Sequence, residues 1–213
     1  MGRKLVILGA GGFAREVAWL VSDINKEGQS VRWDIVGFVD RKPEWIGKDL
    51  NGIPIISLEK ATCHLPDVHA VAAIGSPIAR ERAVAEAEKL GFKFTTLIHP
   101  AVLMDSNTVD IGEGCMICAG NILTVNIKIG NHVLLNLDCT VGHDSVLEDY
   151  ASAAPGCHLS GNTSLRRGCY LGTGVVMIEK TEVGAYSVIG AGAVVVGNIP
   201  PRVTAVGIPA KVR

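Results

Sequence analysis

Three groupings of residues in this chain have the types and spacings that chemistry requires. The first is Thr140-Val141-Gly142-His143-Asp144-Ser145, a histidine beside an aspartate in a stretch otherwise built of small and aliphatic residues. Histidine accepts protons near neutral pH, and a carboxylate on its far ring nitrogen would orient the imidazole and stabilise its cation. The second is Gly9-x-Gly11-x-x-Ala14, followed later by Asp40. Glycines so placed let the backbone approach a phosphate at a helix N-terminus, and the acid can bind a ribose hydroxyl. The third is the set of six cysteines (Cys63, Cys115, Cys118, Cys139, Cys157, Cys169), in which Cys115-x-x-Cys118 has half the spacing of a zinc motif.

The elements that position the histidine follow from a six-residue beat. Every sixth residue from Ile111 is aliphatic: Ile111, Ile117, Leu123, Ile129, Leu135, Val141, Leu147, Ala153, Leu159, Leu165, Leu171, Met177, Val183, Ile189, Val195. The next position is glycine at Gly112, Gly130, Gly142, Gly172, Gly184 and Gly190. Neither a helical period nor two-residue alternation produces such a column. A short strand plus a turn, repeated, does, and hexapeptides of this kind mark a parallel β-helix with about three per coil and the aliphatic column inward. Asp144 could reach His143 only at a corner of that prism, because neighbours on a strand point to opposite faces.

The beat also gives four cysteines an ordinary place. Cys115, Cys139, Cys157 and Cys169 all occupy the slot two before the aliphatic, where a compact apolar side chain packs well. They read as packing residues, with neither disulfide nor metal implied.

The first hundred residues follow another pattern. Strands are expected at Lys4–Leu8, Asp34–Asp40, Val68–Ile74 and Phe92–Leu97, with helices after the glycine loop and from Pro77 to Leu90, the latter capped by Gly91. Alternating strand and helix implies a small, doubly wound, Rossmann-like α/β domain. Three or four strands are too few for the paired halves of an NAD-binding domain, so a single nucleotide fits better than NAD. The domains expected are 1–97 and 98–213, joined near Ile98-His99-Pro100.

Composition bounds the function. Lys+Arg 20 against Asp+Glu 21 leaves net charge -1, without the basic footprint of a nucleic-acid or anionic-membrane binder. No apolar run reaches the roughly 18–20 residues that span a bilayer. The apolar run near the N-terminus ends in a glycine turn without a cleavage-site pattern, so a cytoplasmic protein is expected.

Four features together resemble one family: the loop Gly9-Ala-Gly-Gly-Phe-Ala14, the sequence Ala72-Ala-Ile-Gly-Ser76 before a helix, the Ile98-His99-Pro100 junction into hexapeptides, and the ending from Asn198 to Arg213 that contains Gly207-Ile-Pro-Ala-Lys-Val212. The whole chain is similar to the sugar O-/N-acyltransferases of the NeuD/PglD type. The resemblance implies a left-handed β-helix, a homotrimer, acetyl-CoA as co-substrate without a metal, and a nucleotide-linked amino sugar of the 4-amino-4,6-dideoxy type as acceptor. It implies that His143 acts as general base and that Asp144 assists it. Gly11, Gly12, Phe13, Asp40, Arg41 and Gly75 correspond to residues that meet the nucleotide sugar, and Asn136 to a polar residue near the reacting centre. Gly161, Thr173 and Ala191 correspond to coenzyme contacts. One departure is Ser152, where some members carry a second histidine.

Rival readings are a sialic-acid-type sugar O-acetyltransferase and a non-catalytic sugar-nucleotide-binding regulatory subunit. Zinc carbonic anhydrases of the same fold need a His-x4-His spacing that His132, His143 and His158 do not supply. A serine-acetyltransferase-like acceptor fits poorly with the nucleotide-type first half.

Overall fold

The computed structural model describes residues 2–27 and 31–213, which divide by internal contacts into two units, Met1–Pro100 and Ala101–Arg213. The boundary falls after Pro100, beyond the expected 97/98. His99 Nε2 lies 3.4 Å from Asp23 Oδ2, which ties this segment to the first unit.

Apolar runs in the first unit form a sheet around β1 (Arg3–Leu8). In chain order it continues with α1 (Gly12–Lys26), β2 (Trp33–Val39), β3 (Asp49–Leu50), β4 (Ile53–Ile56), α2 (Leu58–Thr62), β5 (Val68–Ala72), α3 (Pro77–Lys89) and β6 (Lys93–Phe94). The spatial order is β3-β4-β2-β1-β5-β6, parallel apart from the β3–β4 pair. β3, β4 and α2 are not expected from the sequence. The segment Ile53-Pro54-Ile55-Ile56 is short, and its proline argues against a ladder strand. It is tolerated near the sheet edge, where Ile55 and Ile56 pair with Phe38 and Val39. Helix α1 buries Ala14, Val17, Leu20, Val21 and Ile24, one helical stripe, against the sheet. Helix α3 begins as its sequence predicts: Pro77 occupies its first turn, and the Ser76 hydroxyl accepts from Ala79 N–H at 3.4 Å. Gly91 follows the helix at φ +90°, a left-handed conformation that suits glycine.

The second unit is a left-handed parallel β-helix whose three faces are ladders of very short parallel strands. One face stacks Met116–Ile117, Leu134–Leu135, Ser152–Ala153, Tyr170–Leu171 and Val188–Ile189. A second stacks Leu103–Met104, Ile122–Leu123, Thr140–Val141, His158–Leu159, Val176–Met177 and Val194–Val195. The third carries Val109–Ile111, Ile127–Ile129, Val146–Leu147, Ser164–Leu165 and Glu182–Val183. Each strand pairs with its counterpart in the next coil, as Thr140 with His158 and Val141 with Leu159. From Ile117 to Val195 every member of the aliphatic column is at most 4% exposed, and Ile111 in the first coil is half-buried.

A second six-residue column lies three past the aliphatics. Gly114, Gly120, Asn126, His132, Asp138, Asp144, Tyr150, Gly156, Asn162, Gly168, Gly174, Lys180, Tyr186 and Gly192 all have positive φ, between 55° and 76°. From Gly114 to Gly192 this is how the chain turns its corners: one left-handed residue between two extended strands. Most of these positions hold Gly, Asn or Asp, the residues that visit that region most readily.

Cys115, Cys118, Cys139, Cys157 and Cys169 are buried and unbridged, and Cys63 is exposed. The thiols hydrogen-bond to carbonyls of the neighbouring coil, Cys139 Sγ to Ala154 O at 3.3 Å and Cys157 Sγ to Gly172 O at 3.2 Å. Burial pushes the Cys169 thiol up, away from the thiolate that metal binding or nucleophilic attack requires.

Candidate active site

The corner between the second and third faces carries His143 and Asp144. Val141 is fully buried in the column, Gly142 continues the strand, and the chain then turns through Asp144 at φ +58° before Ser145 re-enters the interior. Gly142 is required where it stands, because a Cβ there would meet Gly161 N at 2.5 Å. The left-handed turn brings adjacent side chains together: His143 Nδ1 lies 2.8 Å from Asp144 Oδ2. The hydrogen bond from His143, then one from Asn126, holds the Asp144 carboxyl below its ordinary range. An ionised carboxylate only accepts, so Nδ1 carries the proton of that hydrogen bond, and in the neutral ring the lone pair is on Nε2. Both side chains are about half exposed, His143 at 57% and Asp144 at 46%. The arrangement is a histidine base with Nδ1 occupied by the carboxylate and Nε2 on the far side of a half-exposed ring.

Gly161 occupies the same corner one coil on, directly against the imidazole. Asn136, Thr173 and Ala191 lie on a different edge, between the first and second faces, after the strands ending at Leu135, Leu171 and Ile189. Within one protomer the second face therefore separates them from His143. Asn136 Oδ1 accepts from Leu137 N–H at 2.7 Å, and its backbone carbonyl accepts from the buried Asn121 amide at 2.8 Å. Ser152 is fully buried on the first face. His158 stands on the second face with Nδ1 3.0 Å from Thr140 Oγ1.

In the first unit, all six residues singled out there, Gly11, Gly12, Phe13, Asp40, Arg41 and Gly75, line one cavity of about 590 Å³ at the carboxyl ends of the parallel strands. Gly9, at φ +107°, strains any side chain, and a Cβ would stand tight against backbone at 3.0 Å from Ala73 O. Gly11 and Gly75 differ: a Cβ on either would meet nothing within 4 Å, so these glycines leave the cavity open. Gly11 is the N-cap of α1, whose first turn holds no acidic side chain. Its N–H groups are thus available to an anion. Asp40, at the end of β2, accepts from Lys42 N–H at 3.0 Å. Leu58, Ile74, Arg82 and Glu86 also line the cavity, and Arg41 forms an ion pair with Glu86. None of these four stood out as a site residue from the sequence; for Arg82 and Glu86 the helical spacing of Ala79, Arg82, Ala83 and Glu86 on α3 was the available signal.

The architecture, a nucleotide-type α/β unit followed in the chain by a hexapeptide prism, defines a class of acyltransferase. Residues 4–87 match the PglD N-terminal domain family. The acetyltransferase domain of PglB from Neisseria gonorrhoeae, solved with acetyl coenzyme A, is 32% identical, with all of both chains covered and a TM-score of 0.88. A variant of perosamine N-acetyltransferase from Caulobacter crescentus, solved with CoA and GDP-perosamine, is 27% identical over 99% of this chain and 96% of the other, with a TM-score of 0.89. GDP-perosamine N-acetyltransferase from Escherichia coli O157:H7 is 29% identical over 96% of this chain and 94% of that protein. The chain also matches serine acetyltransferases, but spans only 35–40% of their length. The chain belongs to the NeuD/PglD-type sugar acetyltransferases.

Proposed function

We propose that this protein transfers the acetyl group of acetyl-CoA to the amino group of a nucleotide-linked amino sugar of the 4-amino-4,6-dideoxy type. The observation that carries this reading is the contact of His143 Nδ1 with Asp144 Oδ2 at 2.8 Å, which leaves Nε2 as a base at an exposed corner. The sugar amine attacks the thioester carbonyl and gives up a proton to Nε2. The tetrahedral intermediate then collapses, breaking the carbon–sulfur bond, and the imidazolium returns the proton to the departing thiolate. Asp144 holds the ring and stabilises its cation while the proton is there. Neither step requires a metal or a covalent intermediate on the enzyme.

The cavity of the first unit takes the nucleotide part of the acceptor. The α1 N-terminus at Gly11–Phe13 meets the phosphates and Asp40 meets the ribose. Gly161, Thr173 and Ala191 contact the coenzyme, largely through backbone. The working assembly is a homotrimer. Two observations support it: the second face exposes apolar side chains toward its ends, Leu103 at 65%, Ile122 at 41% and Val176 at 37%, with Thr140 and His158 between them, and its two edges carry His143 on one side and Asn136, Thr173 and Ala191 on the other. A second copy packed on that face juxtaposes one edge with the other. No described helix is long and apolar enough to cross a membrane, and the reaction is assigned to the cytoplasm, where acetyl-CoA and sugar nucleotides are made.

The test is release of free thiol from acetyl-CoA against GDP-, UDP- and dTDP-linked 4-amino sugars, with sialic acid and free amino acids as comparators. Turnover on a nucleotide-linked amino sugar supports the reading. Turnover on sialic acid alone converts it to an O-acetyltransferase, and coenzyme binding without any turnover favours a regulatory subunit.

A further inference from the structure

The Asp144 carboxylate has a second partner. Its Oδ2 faces His143, and its Oδ1 accepts from Asn126 Nδ2 at 3.1 Å. Each oxygen thus has its own donor, and rotation about the Cβ–Cγ bond would break both contacts. Asn126 comes from the preceding coil and takes the same left-handed corner slot, with φ +55° against +58° for Asp144. The backbones are tied together at that point, Asp144 N–H donating to Val125 O at 3.1 Å. Asn126 is therefore held over the carboxylate by the coil stacking itself.

We propose that Asn126 is a positioning residue for the acetyl transfer, fixing the Asp144 carboxylate so that it in turn fixes the ring plane and the Nδ1–H tautomer of His143; this rests on the reading of His143 as the base. The residue type suits two demands at once. Asparagine tolerates positive φ, which most side chains do not. Its amide supplies a neutral donor, where aspartate would set a carboxylate against a carboxylate and glycine would leave Oδ1 to water. Because water is free to rotate and the amide is not, the loss falls on the orientation of the pair rather than on its charge.

Two substitutions in the full chain test this. Asn126→Gly removes the donor and suits the left-handed backbone without strain. Asn126→Asp keeps the corner preference and reverses the hydrogen-bonding role. Both are expected to fold, with a melting temperature close to the parent's. The expected result for Asn126→Gly is a fall in kcat of about 3- to 20-fold, the range that one charge-assisted, partly exposed hydrogen bond supports, with KM for acetyl-CoA and for the acceptor little changed. Asn126→Asp should lose at least as much. Nitrogen-15 NMR of the histidine side chains should show the Nδ1–H form of His143 falling in Asn126→Gly.

In an Asp144→Ala background, Asn126→Gly should have no further effect on kcat, because Asn126 acts only through that carboxylate. A kcat within twofold of the parent and an unchanged tautomer would overturn the proposal. So would a loss that persists in the Asp144→Ala background, since that is a structural effect. Failure of the base assignment itself reads differently: His143→Ala then stays active, whatever the tautomer measurement says of Asn126 and Asp144.

Discussion

Gly161 lies against the imidazole of His143 so closely that a Cβ built on it would overlap Nε2 and stand 2.6 Å from Cε1. The histidine ring thus rests over the backbone of the next coil, in space that exists only because position 161 lacks a side chain. Gly161→Ala meets no backbone penalty, as its φ is not positive. It should leave the β-helix folded while displacing the ring. A displacement of about 1 Å in a reacting group costs on the order of 10²-fold, so kcat should fall by about that factor. Steady-state kinetics together with a crystal structure of the variant check this; an undisplaced ring and unchanged kcat would remove Gly161 from the site.

His143→Ala should bind coenzyme and acceptor as the parent does and lose about 10²–10⁴-fold in kcat, the usual contribution of a general base. Single-turnover measurement with acetyl-CoA bound in advance separates this from a binding defect. A variant within about threefold of the parent would show that His143 is not the base.

The pH dependence follows from Asp144. Its hydrogen bonds to His143 and Asn126 lower its folded pKa below the ordinary aspartate value. The pairing is therefore intact above the ordinary value, about 3.9, and is lost only as pH falls through the depressed one. Asp144 stays ionised throughout the working range, and the acid limb of kcat/KM should carry the slope of one protonation. A limb that falls as two protonations would mean that the carboxylate also titrates within it.

Gly11→Val should separate the two units' contributions. The added side chain enters open space at the α1 N-terminus and should raise KM for the nucleotide-linked acceptor while leaving KM for acetyl-CoA unchanged. Equal effects on both constants would place the acceptor elsewhere.

Stability should reside in the inward column, with the surface ion pairs adding little. Leu135 is fully buried, and Leu135→Ala should cost about 2–5 kcal/mol. Arg166 bridges Glu148 at 2.7 Å and Glu182 at 2.6 Å across successive coils, but its side chain is 43% exposed. Solvent screens such pairs, and Arg166→Ala should cost less than about 1 kcal/mol. Urea unfolding of both variants makes the comparison.

The six-residue column was legible because an inward aliphatic is needed at every coil position, and burial admits few alternatives. The corner column was harder to read. His132, Tyr150, Lys180 and Tyr186 adopt the left-handed conformation alongside the glycines, asparagines and aspartates, so the backbone repeats where the composition does not. The pairing of His143 with Asp144 was conditional on a corner, and the turn at φ +58° meets that condition. Asn126 was missed for a related reason: it is far from the histidine in sequence and meets its aspartate only once a full coil has closed. Strand β4 was missed because its proline is ordinarily a warning against a ladder, and only its place near the sheet edge resolves the conflict. The contact of Gly161 with His143 was likewise invisible until the coils were stacked, although the same slot one coil beyond position 143 points to it.

Between Val109 and Val195 the coils keep one length, Val109 pairing with Ile127 as Val176 pairs with Val194, and this has a consequence for how such a site can be moved. Each of these coils repeats the same corner, displaced along the prism axis by one inter-strand spacing of about 4.8 Å. A functional group's height is therefore set by coil number, and its bearing around the axis by the slot it takes within the hexapeptide. Adding or removing a whole coil would carry the histidine corner up or down the axis with its orientation preserved. A single-residue insertion within a strand would rotate every later residue out of its slot.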